Sequence, residues 1–125
     1  MLRQLFFGVA VLLAPAFAPL TLRAAPGPTI NVGQAPTAHT VTYDITGGNF
    51  EPGAFVSFDP IVPGSLGFWT TADDNGKIDV RGEYPRTKGA PAVFVASEYR
   101  LFPNTNPQVP PLFLARTNVV TLTQP

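Results

Sequence analysis

Few residues in this chain could do chemistry on a bound substrate. There is one histidine, His39, and no cysteine, which removes thiolate zinc sites, cysteine nucleophiles, disulfides and any lipid anchored on sulfur. Ser57, Ser65 and Ser97 lack the Gly-x-Ser-x-Gly elbow that exposes a nucleophilic serine, and His39 sits at the head of a strand with no cue for a partner. Asp59, Asp79 and Glu83 fall mostly on the polar side of alternating segments, where they read as solubilising charges before acid/base pairs. Asp73-Asp74-Asn75 puts three oxygen-bearing side chains in one turn. Calcium needs about 6–8 oxygens, and the spacing fails the EF-hand pattern, so a tight turn is the preferred reading. The expectation is no catalytic residue, no metal and no cofactor.

What remains is contact chemistry. Trp69 near a strand start, Tyr99 at a strand end, and Leu101, Phe102 and Phe113 around a long proline-rich segment are the candidate ligand or partner contacts. Large rings in a cleft are how glycan and small-molecule sites are lined. The competing reading for Trp69 is packing, since a small core needs bulky side chains and Trp69 follows Phe68 directly.

These side chains need a scaffold, and the first residues do not supply it. Arg3 precedes Leu5 to Ala18, a run without charge, with small residues at Ala14, Ala16 and Ala18; this reads as a signal peptide over residues 1–25, cut somewhere from 16 to 25. A spanning helix needs roughly 20 apolar residues, and Pro15 and Pro19 interrupt the run, so no stable membrane span is expected after cleavage. The expected address is periplasmic, cell-envelope or extracellular. Residues 26–125 then form one domain, with six basic against eight acidic residues. That balance lacks the dense Lys and Arg that nucleic acid requires.

In the domain the apolar period is two. Val41, Tyr43 and Ile45 alternate with Thr40, Thr42, Asp44 and Thr46, and Ile78, Val80 and Tyr84 alternate with Lys77, Asp79, Arg81 and Glu83. A slip of one residue would bury four charges, so the second register is well fixed. Weaker strands are expected at Thr29 to Val32, Phe55 to Asp59, Gly67 to Thr71, Ala92 to Tyr99 and Asn118 to Thr123, with turns at Gly33 to Pro36, Gly47 to Gly53, Pro60 to Gly64, Asp73 to Gly76 and Pro85 to Pro91. In Ala92 to Tyr99 either Val93 with Val95 or Phe94 with Ala96 could face inward. About seven short strands in about 100 residues are the pattern of an all-β Greek-key sandwich.

Two motifs sharpen that expectation. Ile45-Thr46-Gly47-Gly48-Asn49-Phe50-Glu51-Pro52-Gly53 ends a strand in residues that tolerate positive φ, inserts one ring that can plug the core, and turns through Pro-Gly. Asp73-Asp74-Asn75-Gly76 runs straight into the strand from Lys77, and Asn-Gly is a hairpin signal. Together they resemble the IPT/TIG-like immunoglobulin domains of exported bacterial proteins, with a more distant similarity to the neocarzinostatin-type outline, whose disulfides this chain cannot form. Asn49 stands where that pattern has a second glycine, and Arg100 to Asn118 is longer than its usual last turn.

The resemblance implies a seven-stranded immunoglobulin-like sandwich outside the cytoplasm, with no shared catalytic residues. The expected function is a non-enzymatic structural or adhesive module at the cell surface, touching a protein or glycan there. The alternative is a small-ligand or glycan binder using the 100–111 loop and the aromatics beside it. Self-association through Pro26 to Val32 as an added strand is a third possibility.

Overall fold

A computed structural model of the chain describes residues 26–125; the expected signal peptide and its cut site lie outside the described residues. Among the described residues the protein is all-β, with nine strands and no helix. They are β1 (Thr29–Pro36), β2 (Thr40–Gly48), β3 (Phe55–Phe58), β4 (Phe68–Thr71), β5 (Ile78–Pro85), β6 (Pro91–Phe94), β7 (Ala96–Arg100), β8 (Leu112–Arg116) and β9 (Val120–Thr123). Three antiparallel sheets result, ordered β1-β2-β5, β4-β3-β7-β8 and β6-β9.

The period-two reading holds where it was strongest. Val41, Tyr43 and Ile45 are fully buried, and Asp44 on the opposite face is exposed and pairs with Arg81 at 2.7 Å. Ile78 is buried, with Val80 and Tyr84 packed against the same core. From the other sheet come Val56 and Phe58, and from β6 and β7 come Ala92, Phe94 and Ala96, all in one cluster. Tyr43 meets Phe94 edge to face at 4.9 Å, a contact that links β2 to β6 across that core. The choice left open in the sequence falls to Phe94 with Ala96, because Val93 is turned outward.

Three expectations need correction. β1 runs through Pro36 and not only to Val32, because Gly33 to Pro36 continue the ladder opposite Val41 to Asp44. Proline is tolerated there as the last residue of an edge strand, and the turn moves to Thr37, whose backbone N–H and hydroxyl both reach Thr40 O. Ala92 to Tyr99 is interrupted at Val95, and Leu112–Arg116 and Val120–Thr123 are separate strands, with Asn118 in the gap and not at a strand start. The interruption is supported by Thr117, which accepts the Ala96 N–H on its hydroxyl at 3.0 Å and donates its own N–H to Ala96 O at 2.9 Å. Finally, Asn75-Gly76 is not a hairpin turn between paired strands. β4 pairs with β3 while β5 pairs with β2, so the turn carries the chain from one sheet to another.

The two motifs singled out in the sequence meet in space. The Phe50 N–H donates to Gly76 O at 3.1 Å, and the buried Phe50 ring fills the end of the core. Asn49 and Gly53 take φ of 64° and 76°, the left-handed values that Asn and Gly tolerate. Gly76, at φ 72°, lies so close to the Phe50 backbone that an added Cβ would fall 2.2 Å from its carbonyl oxygen.

Candidate functional site

Strand alternation decides which rings reach water. In β3, Val56 and Phe58 point into the core, so Phe55 and Ser57 must face out. In β4 the same rule splits the aromatic pair: Phe68 turns inward and stacks on Phe58 at 4.7 Å, while Trp69 is 63% exposed. The packing alternative for Trp69 therefore fails, and its neighbour Phe68 does that work. In β7 the outward residue at the level of Phe55 is Tyr99, and in β8 it is Phe113, 52% exposed.

These four side chains form one row across all four strands. Trp69 stacks on Phe55 at 5.2 Å and 26°, Phe55 meets Tyr99 at 6.2 Å, and Tyr99 meets Phe113 at 5.8 Å, both of the latter edge to face. Offset and edge-on pairs at such distances are the geometry that aromatic quadrupoles favour. The two end rings are the exposed ones and the two central rings are half-buried. A register irregularity between Glu98 and Tyr99 sets Tyr99 opposite Phe113 and closes the row.

Two ion pairs lie at the ends of these strands, Arg116–Asp59 on the row's own face and Arg100–Glu51 on the other side of β7. One residue beyond Tyr99, the Arg100 guanidinium forks onto Glu51, with Nε to Oε1 at 2.8 Å and Nη2 to Oε2 at 2.7 Å. That fork holds the Glu51 carboxyl below its usual range and raises Arg100. At the other end Arg116 donates to Asp59 Oδ2 at 2.8 Å and to Ser97 Oγ at 3.0 Å. Below the first pair, buried Glu98 accepts the Glu51 N–H at 2.6 Å and so fixes the corner that carries Glu51.

Of the five residues expected to make contact, the structure brings together Trp69, Tyr99 and Phe113. Leu101 and Phe102 belong to the loop between β7 and β8 and stand outside the ring contacts. That loop folds on itself: Phe102 O accepts from the Thr105 hydroxyl at 3.2 Å and from Gln108 Nε2 at 3.1 Å, and Thr105 Oγ1 accepts the Val109 N–H at 2.9 Å. The residue missed was Phe55. Its signal was present, since a ring at odd parity to Val56 and Phe58 has to leave the core.

The remaining polar candidates serve local structure. Asp73 Oδ1 accepts the N–H groups of Lys77 and Asn75 at 2.9 and 2.8 Å, and these two bonds keep its carboxyl below the ordinary aspartate value. His39 O accepts the Arg86 N–H at 2.8 Å, at the opposite pole from the Arg100–Glu51 pair. At that pole a cavity of about 300 Å³ is lined by Val62, Pro63, Tyr84, Pro85, Ala90 and Gln124. Tyr84 there has its phenol pushed up by burial, with Tyr43 nearby as a lesser cause.

The chain matches no known protein-family model, no curated protein and no solved structure.

Proposed function

We propose that the protein is an exported, non-enzymatic immunoglobulin-like module with a structural or adhesive role at or outside the cell surface, and that it works by contact through the outward face of β4-β3-β7-β8. The strand order supports the immunoglobulin part. β6 and β7 are separated by one residue and run antiparallel to β9 and β8 in nearly constant register, so they read as two long strands. Counted that way there are seven, three in one layer and four in the other, the number and split of an immunoglobulin-like Greek key.

The observation that carries the contact role is the row of Trp69, Phe55, Tyr99 and Phe113. Its two end rings remain more than half exposed, Trp69 even though the adjoining position, held by Phe68, packs against the core. A row of exposed rings on a rigid sheet is a surface for binding. It also favours the second reading, a small-ligand or glycan binder, though with the sheet and not the 100–111 loop as the platform.

Two measurements test the proposal. Fractionation of washed cells, with mass spectrometry of the N-terminus, should find a chain trimmed between residues 16 and 25 outside the cytoplasm; an untrimmed cytoplasmic chain overturns export. A Trp69→Ala, Phe113→Ala variant should fold normally and lose retention on the cell surface; unchanged retention overturns the contact face.

A further inference from the structure

Resting on that reading of the face, we infer that its occupant is a neutral polysaccharide, bound across the strands along the aromatic row. The row supplies what a sugar's C–H faces need. Its rings succeed one another at 5.2, 6.2 and 5.8 Å, one from each strand, so that a chain laid over them meets a ring at every step. Trp69 and Phe113, the most open of the four, are the two stacking anchors.

The same face supplies what hydroxyl groups need. Arg116, which donates to both Asp59 Oδ2 and Ser97 Oγ, sets donors and acceptors side by side at fixed spacing. The charges decide between occupants. Each arginine is already committed to its own carboxylate, at 2.7 and 2.8 Å, and Glu98 adds a further carboxyl beside Arg100, so neither arginine is a cation free to meet an anionic ligand. An acidic polysaccharide or a nucleic acid draws its affinity from cations free to meet phosphate, sulfate or carboxylate, and these are committed. A lipid surface or a second copy of the chain would take a broad apolar face; here each strand gives a single ring, with the Arg116–Asp59 ion pair and the Ser57 and Ser97 hydroxyl positions on the same face. An uncharged ligand rich in hydroxyls is the one that pays no desolvation penalty for unmatched charge.

Native affinity electrophoresis of the full chain tests this, in gels cast with hydroxyethylcellulose, xylan, galactomannan or a mixed-linkage glucan, and with heparin and alginate as charged counterparts. At least one neutral polymer should retard the protein, and 0.5 M salt should leave the retardation in place. Trp69→Ala and Phe113→Ala should each weaken it about tenfold, while Leu101→Ala, outside the row, should not. Retardation by none of the neutral polymers overturns the inference, as does salt-sensitive binding to heparin or alginate alone, or equal retardation of all variants. So does sedimentation showing that wild type self-associates and Trp69→Ala does not. If the Trp69→Ala, Phe113→Ala variant leaves washed cells while no neutral polymer binds, the polysaccharide falls and the contact face stands.

Discussion

Replacing Gly76 with alanine should cost the protein far more than the same change at Gly53, although both glycines have nearly the same backbone. Gly53 has φ 76° and open space around its missing Cβ; Gly76 has φ 72° and the Phe50 carbonyl oxygen 2.2 Å from that point. At Gly53 the penalty is conformational, about 1–2 kcal/mol for the left-handed region, offset by about 0.4–1 kcal/mol from the stiffer unfolded chain. Gly76→Ala bears the same penalty, and its methyl also collides with main chain on the neighbouring corner, which has no flexible end to yield. Relief requires the corner to open, which breaks the bond from the Phe50 N–H to Gly76 O, worth about 1 kcal/mol, and withdraws part of a buried ring worth about 1–2 kcal/mol more. The total is about 3–4 kcal/mol, against about 1 kcal/mol at Gly53, in a domain whose whole stability is on the order of 5–15 kcal/mol. Urea melts at 25 °C read the difference directly, and in thermal melts of about 100 residues each kcal/mol moves the midpoint about 4–8 °C. If the two variants agree within about 0.5 kcal/mol, the corner and the crossing turn are not interlocked and the reasoning fails.

Three further outcomes follow from the same kind of accounting. Tyr43→Phe should leave stability unchanged or raise it by about 1 kcal/mol, because the buried Tyr43 hydroxyl has no hydrogen-bond partner among the described residues; a loss above about 1 kcal/mol in urea melts would mean that the hydroxyl is satisfied. Asn118→Ala should cost about 1–3 kcal/mol, since its side-chain amide accepts the Ile30 N–H at 2.8 Å and donates to Ile30 O at 3.2 Å, and should raise self-association in sedimentation by baring that edge; an unchanged melt and mass refute it. Asp73 has a lowered folded-state pKa, so its stabilisation is present above the unfolded value and is lost as pH falls below about 4. Asp73→Asn should therefore flatten the fall in stability between about pH 5 and 2, and an equally steep acid limb would show that Asp73 is not the group responsible.

The strands that sequence pattern located best are those with one wet and one dry face, because period two is then written directly in residue type. β2 is the example, with three fully buried apolar residues interleaved with Thr and Asp. The pattern fails where both sides of a strand are apolar, as at Ala92 to Ala96, and there the break at Val95 is fixed from outside the segment, by Thr117 in the gap between β8 and β9 and by the Asp59 N–H on Val95 O. It fails again at Asn75-Gly76, since local turn chemistry fixes the conformation of a turn and not which sheet the next strand joins. The candidate site was half legible. Trp69, Tyr99 and Phe113 stand out by residue type, but what assembles them is cross-strand register and the irregularity at Glu98/Tyr99, which no single segment encodes. Leu101 and Phe102 stand out only by their place in a long loop, and that loop satisfies itself through Thr105 and Gln108.

The register of β1 also settles how the domain answers a pull. Thr29 lies beside Gly48, near the Phe50 corner, whereas Thr123 lies beside Pro91, at the end where Arg86 holds Thr37 O and Pro125 O. The outermost strands thus leave from opposite poles, and tension applied through them runs along β1 and not across it. All eight residue pairs of the β1–β2 ladder would be sheared together instead of unzipped one after another. Such an arrangement suits a part that must hold while something attached to its side is dragged by flow.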